Sequence, residues 1–211
     1  MGRVRIVIAG GHGKIALLLE RLLADRGDTV VGLVRNPAHF ADVAAAGAEP
    51  VLMDLENTSI ERLADVVAGA DAVVFCAGAG PGSDAARKDT MDRAGAVLLA
   101  DAAERAGVRR YLLVSSMGAD RADAPGTEPV FAAYLRAKAA SEDDLRRRDL
   151  DWTILRPGAL TDKPATGRVH LAPPPVPSGA VPRADVTAVL VSLLDRPDTA
   201  GQTLELVSRN S

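Results

Sequence analysis

A β-branched run, Ile6-Val7-Ile8-Ala9, breaks into Gly10-Gly11-His12-Gly13 and resumes as a helix-patterned stretch beginning Lys14-Ile15-Ala16. No other feature of the chain constrains its fold as strongly. Glycine lets the backbone turn tightly from strand to helix, and a Cβ at Gly10 or Gly13 would hold the main chain away from a pyrophosphate. The following helix directs free N–H groups and the positive end of its dipole at the phosphates. The spacing Gly-x-x-Gly-x-x-Ala is a variant of the dinucleotide-binding pattern, and here it has a strand before it and a helix after it. Ile15, Leu18, Leu19, Leu22 and Leu23 predict a single apolar stripe on that helix. Gly10, Gly11, His12, Gly13, Lys14 and Ile15 are therefore the first candidate cofactor contacts.

At 211 residues, 47% of them hydrophobic, the chain suits one domain able to cover a sheet on both faces. No apolar stretch approaches the roughly 20 residues needed to cross a bilayer. The first residues enter a strand directly rather than a signal-peptide pattern, so a cytoplasmic protein without a membrane partner is expected. A formal charge of −3 and the lack of a dense basic motif argue against nucleic acid as a partner. The one basic run, Arg146-Arg147-Arg148, follows Glu142-Asp143-Asp144 and reads as a solvated helix end. The single cysteine, Cys76, excludes an intramolecular disulfide and reads as a buried small hydrophobe. His12, His39 and His170 show no ligand spacing, so no metal site is expected.

Short β-rich runs alternate with longer helical patterns, which predicts an α/β, three-layer Rossmann-type domain with a doubly wound parallel sheet. Strands are predicted near 3–9, 29–34, 49–53, 71–76, 109–115, 151–156 and 202–207. Helices are predicted near 14–26, 58–68, 84–106, 130–148 and 183–195, with a further short helix in 36–46. The whole of 1–211 reads as one NAD(P)-binding domain, with 159–182 as a short substrate-side loop region. Eight prolines and glycines between 164 and 182 predict a structureless cover there, favoured as an active-site flap. Right-handed crossovers place the strands' carboxyl ends on one rim, where an open α/β sheet binds its ligand.

That rim supplies the remaining candidates. Arg35 follows the second strand, where a guanidinium pairs with a 2′-phosphate and so favours NADP(H), with NAD(H) as the alternative. Asp54, beside Leu55, either accepts from the adenine amino group or caps the turn into Glu56-Asn57-Thr58. Ala77-Gly78-Ala79 permits close backbone approach to a ligand or forms a plain turn. Ser115 and Ser116 end the fifth strand, where a hydroxyl polarises a carbonyl oxygen or bonds back to the main chain. Arg156-Pro157-Gly158 shapes the rim beside the nicotinamide end and is a candidate cofactor contact, with a structural ion pair favoured for Arg156 over binding an anionic substrate group. Asp185 belongs to the first turn of the last helix.

Tyr134 and Lys138 lie four residues apart on a predicted helix and share a face. An ammonium about 4 Å from the phenol oxygen, at an effective dielectric of about 20, contributes on the order of 4 kcal/mol. That equals roughly three pKa units and brings a phenol toward working pH as a proton donor. Ser115 and Lys138 also count among the candidate cofactor contacts, Lys138 through the nicotinamide ribose.

Together, Ala9–Ala16, Leu33–Pro37, Val114–Asp120, Tyr134 with Lys138, Thr153–Leu160 and Pro182–Val186 resemble the atypical short-chain dehydrogenase/reductase family. The likeness is to its small NAD(P)H-binding branch, which holds the NmrA-like and biliverdin reductase B-like proteins, and it spans nearly the whole chain. The resemblance implies NADP bound at Gly10, Gly13 and Arg35, with Tyr134 and Lys138 at catalytic positions. Met117 stands where many larger relatives carry the active-site hydroxyl. The expected function is NADP(H)-dependent reduction of a small carbonyl, quinone or similar substrate by a monomer or homodimer. The alternatives are a non-catalytic NADP(H) sensor and, disfavoured by the roughly 55 residues left after the sixth strand, a sugar-nucleotide epimerase or dehydratase.

Overall fold

The computed structural model describes residues 4–78, 80 and 84–209. Seven strands fall where the β-branched runs predict them: β1 (Arg5–Ala9), β2 (Thr29–Val34), β3 (Glu49–Leu52), β4 (Ala72–Phe75), β5 (Arg110–Val114), β6 (Asp151–Pro157) and β10 (Gln202–Ser208). They pair in the order β3-β2-β1-β4-β5-β6-β10, all parallel. Chain direction across the sheet reverses between β1 and β4, opening a crevice above their carboxyl ends. The strands read as continuous apolar runs because both faces are covered. Val7 and Phe75 face one core with Leu63 and Leu99, while Ile6, Ile8 and Val74 face the other with Leu19 and Leu190.

Helices α1 (Lys14–Arg26) and α7 (Arg183–Leu194) cover one face, and α3 (Ile60–Val67) and α5 (Gly95–Ala106) the other. The predicted short helix is a 3₁₀ turn, Pro37–His39, leading into α2 (Phe40–Ala45). The predicted helix over 84–106 is α4 (Ala85–Lys88) joined to α5 through a π-helical segment, Asp89–Ala94. Helix α6 (Pro129–Arg146) follows β5. Arg148 does more than close it: Nη1 binds Asp101 at 2.7 Å and Glu104 at 2.8 Å, strapping the end of α6 to α5.

Residues 162–182 are not structureless. β8 (Val169–Ala172) pairs antiparallel with β10 at the sheet edge, and β7 (Ala159–Thr161) pairs with β9 (Ala180–Pro182). The prolines bracket these strands, and β8 is an edge strand, so the ladder loses little to missing N–H groups. Asp185, in the first turn of α7, holds the loop before β8 by accepting from the main-chain N–H groups of Thr166 and Gly167 at 3.1 and 2.9 Å.

The apolar stripe of α1 is also rotated from its predicted position. Leu18 and Leu22 are 40% and 43% exposed, and the buried line runs through Ala16, Leu19, Glu20 and Leu23. Glu20 fits because Gly11 and Gly32 leave room: a Cβ on either would stand 2.9 or 2.5 Å from its Oε1. Neither carboxyl oxygen has a hydrogen-bond partner among the described residues, and burial pushes the group up to about 8. The native protein thus keeps a proton that the unfolded chain releases above about pH 4.3. Stability should fall as pH rises from there toward 8, by on the order of 3 kcal/mol at pH 7. Denaturant titrations from pH 4.5 to 8 should show that slope, and Glu20→Gln should flatten it; an equal slope in both proteins would refute the assignment.

Candidate functional site

The crevice at the sheet's switch point is a cleft of about 850 Å³, within the roughly 300–1,000 Å³ common for small-molecule sites. Its floor is the glycine turn. Gly10 has φ +84°, and a Cβ there would lie 2.6 Å from the Ala77 Cα, so only glycine allows β1 and the segment after β4 to approach this closely. Gly13 is the N-cap of α1, with no side chain capping it and no acid in the first turn. The first-turn N–H groups have no intrahelical acceptor, and the positive end of the helix dipole is open to an anion. Gly13 closes the turn by donating its N–H to Gly10 O at 2.8 Å. These features fit a dinucleotide diphosphate, with the main chain at Lys14 and Ile15 positioned to hold it.

Most of the predicted cofactor contacts line the cleft: Gly10, His12, Gly13, Lys14, Ile15, Arg35, Leu55, Ala77, Gly78, Ser115 and Lys138. Ala79 lies outside the described residues. Several predicted contacts point elsewhere. Gly11 packs against Glu20 and β2, donating its N–H to Leu33 O at 2.9 Å. Asp54 caps its turn, accepting from Glu56 N at 3.1 Å and Asn57 Nδ2 at 2.8 Å. Gly158 lets the chain pass Gly179, whose carbonyl oxygen would be 2.3 Å from a Cβ, and Pro157 O accepts from Met117 N at 3.0 Å.

Arg156 is held by an ion cluster instead of lining the cleft. It forks onto Glu142 with Nε at 2.9 Å and Nη2 at 2.6 Å, and Nη1 reaches Asp120 at 3.1 Å. Arg156 and Glu142 are 4% and 0% exposed.

The two serines are likewise committed. The buried Ser115 hydroxyl donates to Glu142 Oε1 at 2.6 Å, and the Ser116 hydroxyl donates to Met117 O at 3.2 Å, outside the cleft lining. The expected hydroxyl donor to a substrate carbonyl is therefore engaged in binding protein groups, because a carboxylate with no solvent must be satisfied from within.

Tyr134 and Lys138 both line the cleft from α6. The Lys138 ammonium is buried, donates to Val114 O at 3.1 Å and pairs with Asp92 Oδ1 at 3.1 Å. It lies 5.7 Å from the centre of the Tyr134 ring, whose other neighbours are Lys88 Nζ at 5.3 Å and the Phe131 ring at 5.8 Å. Burial alone would push the ammonium's pKa down, but Tyr134 and Asp92 more than offset it, leaving Lys138 above its ordinary value. Asp92 is the partner that sequence reasoning missed. It sits in the π-helical segment in line with buried Ala96, Leu99 and Ala103, an acid on an apolar stripe. Gly78 passes directly over it, since a Cβ there would be 3.1 Å from Asp92 Oδ1. Cys76 lines the cleft as well, and burial pushes its thiol up to about 12, so it stays protonated. No metal-holding cluster of His, Cys, Asp and Glu occurs among the described residues, and no helix there is long and apolar enough to cross a membrane.

Similar proteins match this chain over nearly their full length. The Bacillus subtilis protein YhfK, named as an uncharacterized sugar epimerase, is 31% identical over 96% of this chain and 94% of its own. A Bacillus halodurans structure whose name proposes an NAD-dependent epimerase/dehydratase is 33% identical, with a TM-score of 0.90 over 99% of this chain and 95% of that one. ChuY, an anaerobilin reductase from Escherichia coli O157:H7, is 25% identical with a TM-score of 0.84, over 99% and 98% of the two chains. The family profile described as NAD(P)H-binding matches residues 10–197, from the first cleft glycine to past α7. The chain belongs to this NAD(P)H-binding family and carries the fold of the atypical short-chain dehydrogenases/reductases.

Proposed function

We propose that the protein is an NADP(H)-dependent oxidoreductase that reduces a small carbonyl, quinone or similar conjugated substrate. The observation that carries this reading is that Tyr134 and Lys138 share one cleft with the glycine turn at the start of α1. When bound, the nicotinamide supplies or accepts the hydride. Tyr134 gives the proton that a carbonyl oxygen needs as its carbon is reduced. Lys138, fixed by Asp92 and the Val114 carbonyl, keeps a positive charge beside that phenol and beside the place for the nicotinamide ribose.

Arg35 supports NADP over NAD. It lines the cleft at the end of β2, is half exposed, and has only a loose contact with Glu56 at 3.6 Å, leaving its fork available for a 2′-phosphate. Val130, Phe131 and Leu160 also line the cleft and are exposed. An apolar, partly aromatic rim suits a flat conjugated substrate better than a sugar, which would require hydrogen-bonding partners for its hydroxyls.

The test is turnover. Purified protein with NADPH and a panel of quinones, oxidised flavins and aldehydes should oxidise the cofactor; tight binding with no oxidation across the panel would favour a cofactor-responsive sensor instead. In fluorescence titrations, Arg35→Ala should weaken NADPH roughly tenfold and leave NADH unchanged, the loss expected of an exposed charge-assisted pair. Equal affinity for both cofactors, indifferent to that substitution, would overturn the NADP assignment.

A further inference from the structure

The cleft that Arg35 lines also holds two imidazoles that the hydride chemistry does not use. His12 comes from the glycine turn and His39 from the end of the 3₁₀ turn before α2, and both line the cleft. Their rings stack with centroids 3.6 Å apart and planes 11° from parallel. His12 Nε2 is bonded to Asp42 Oδ2 of α2 at 2.8 Å, which fixes the orientation of the stack.

The charged groups around the pair come from each neighbouring element. Arg35 adds a positive charge after β2, and Asp42 a negative one from α2. Glu56, after β3, lies 3.6 Å from Arg35 and is also held by Arg87 of α4 at 3.2 Å. Lys14, at the start of α1, is paired with Asp162 at 2.6 Å. Asp42 can compensate one imidazolium. Among the described residues no second carboxylate is bonded to the stack.

We propose that the stacked His12–His39 pair, together with Arg35, forms a proton-coupled 2′-phosphate site, so that NADP(H) binding takes up a proton and preference for it over NAD(H) rises as pH falls. The proposal rests on the NADP reading above and adds to it a dependence on pH. A phosphate dianion beside the stack supplies the missing negative charge, and the imidazole is the side chain whose ordinary pKa, about 6.5, lets this happen within the physiological range.

The experiment measures dissociation constants for NADPH and NADH between pH 6.5 and 8.5, in the wild type and in His39→Gln and His12→Gln, with proton uptake read by calorimetry in two buffers of different ionisation heat. Both histidines are only partly buried, so the variants should fold, and the wild-type calorimetry is informative without them. We expect NADPH to tighten roughly tenfold over this range as pH falls, with net proton uptake at pH 7, while NADH shows neither effect. Either substitution should flatten the NADPH slope. NADPH preferred by the same factor at every pH, with no proton uptake, would overturn the histidine proposal alone. Equal binding of the two cofactors at every pH would overturn the NADP reading with it.

Discussion

Arg156→Met should lower the melting temperature by roughly 10–15 °C and leave NADPH affinity unchanged in the protein that remains folded. The guanidinium meets Glu142 with two parallel bonds at 2.6 and 2.9 Å, in a place where neither group sees solvent. Removing it leaves Glu142 with only the Ser115 hydroxyl and the partly exposed Arg146, whose Nη2 reaches Oε2 at 2.8 Å. It also leaves Glu205, 3.8 Å from Arg156 and 2% exposed, with the Val176 N–H at 2.7 Å. Breaking a buried pair from one side costs on the order of 3–5 kcal/mol, and a chain of this size loses about 2–4 °C per kcal/mol. Replacing both partners, Arg156→Met with Glu142→Leu, should recover much of the loss, because an apolar pair of similar volume avoids the stranded charge. Thermal melts and NADPH titrations on the three proteins check this. A single variant that melts normally but loses cofactor affinity would return Arg156 to the rim of the cleft.

The sequence position of Arg156, at the end of a strand on the ligand-binding rim, made it a candidate ligand contact, while the structural ion pair favoured for it is what the structure shows. What the rim position does not carry is where its partners come from: Glu142 lies on α6 and Glu205 on β10, both distant in sequence. The same difficulty hid Asp92 and Glu20. Charges on a helix are ordinarily read as its solvated face, yet Asp92 is in line with Ala96 and Leu99, and Glu20 with Ala16 and Leu23. An acid in register with an apolar stripe was the available signal in both cases. The sheet itself was legible because the central strands are short apolar runs, rich in β-branched residues in β1, β2 and β4, that give way to glycine or polar residues, and Gly10 marks the first crossover in a way only backbone geometry explains. β8 and β9 were not legible. Each is three or four residues long, set among prolines, and owes its existence to partners elsewhere, β10 and β7.

The closing step of the proposed chemistry has one decisive substitution. Tyr134→Phe should cut NADPH-dependent turnover about 10²–10⁴-fold, the range typical of a lost general acid, with the NADPH dissociation constant unchanged. Phenylalanine keeps the ring that stacks on Phe131 at 5.8 Å and lies under the Lys88 and Lys138 ammonium groups at 5.3 and 5.7 Å. Only the hydroxyl goes, so a fall in kcat without a comparable change in cofactor binding isolates proton donation. Lys138 is a poorer probe of the same step: its removal would break a buried ion pair with Asp92, which is 1% exposed, and mix a folding defect with a catalytic one. Since both serine hydroxyls donate to protein acceptors, the phenol is the donor on which the proposed reaction most depends. Turnover in Tyr134→Phe close to that of the wild type would remove the phenol from the mechanism and leave proton delivery to solvent.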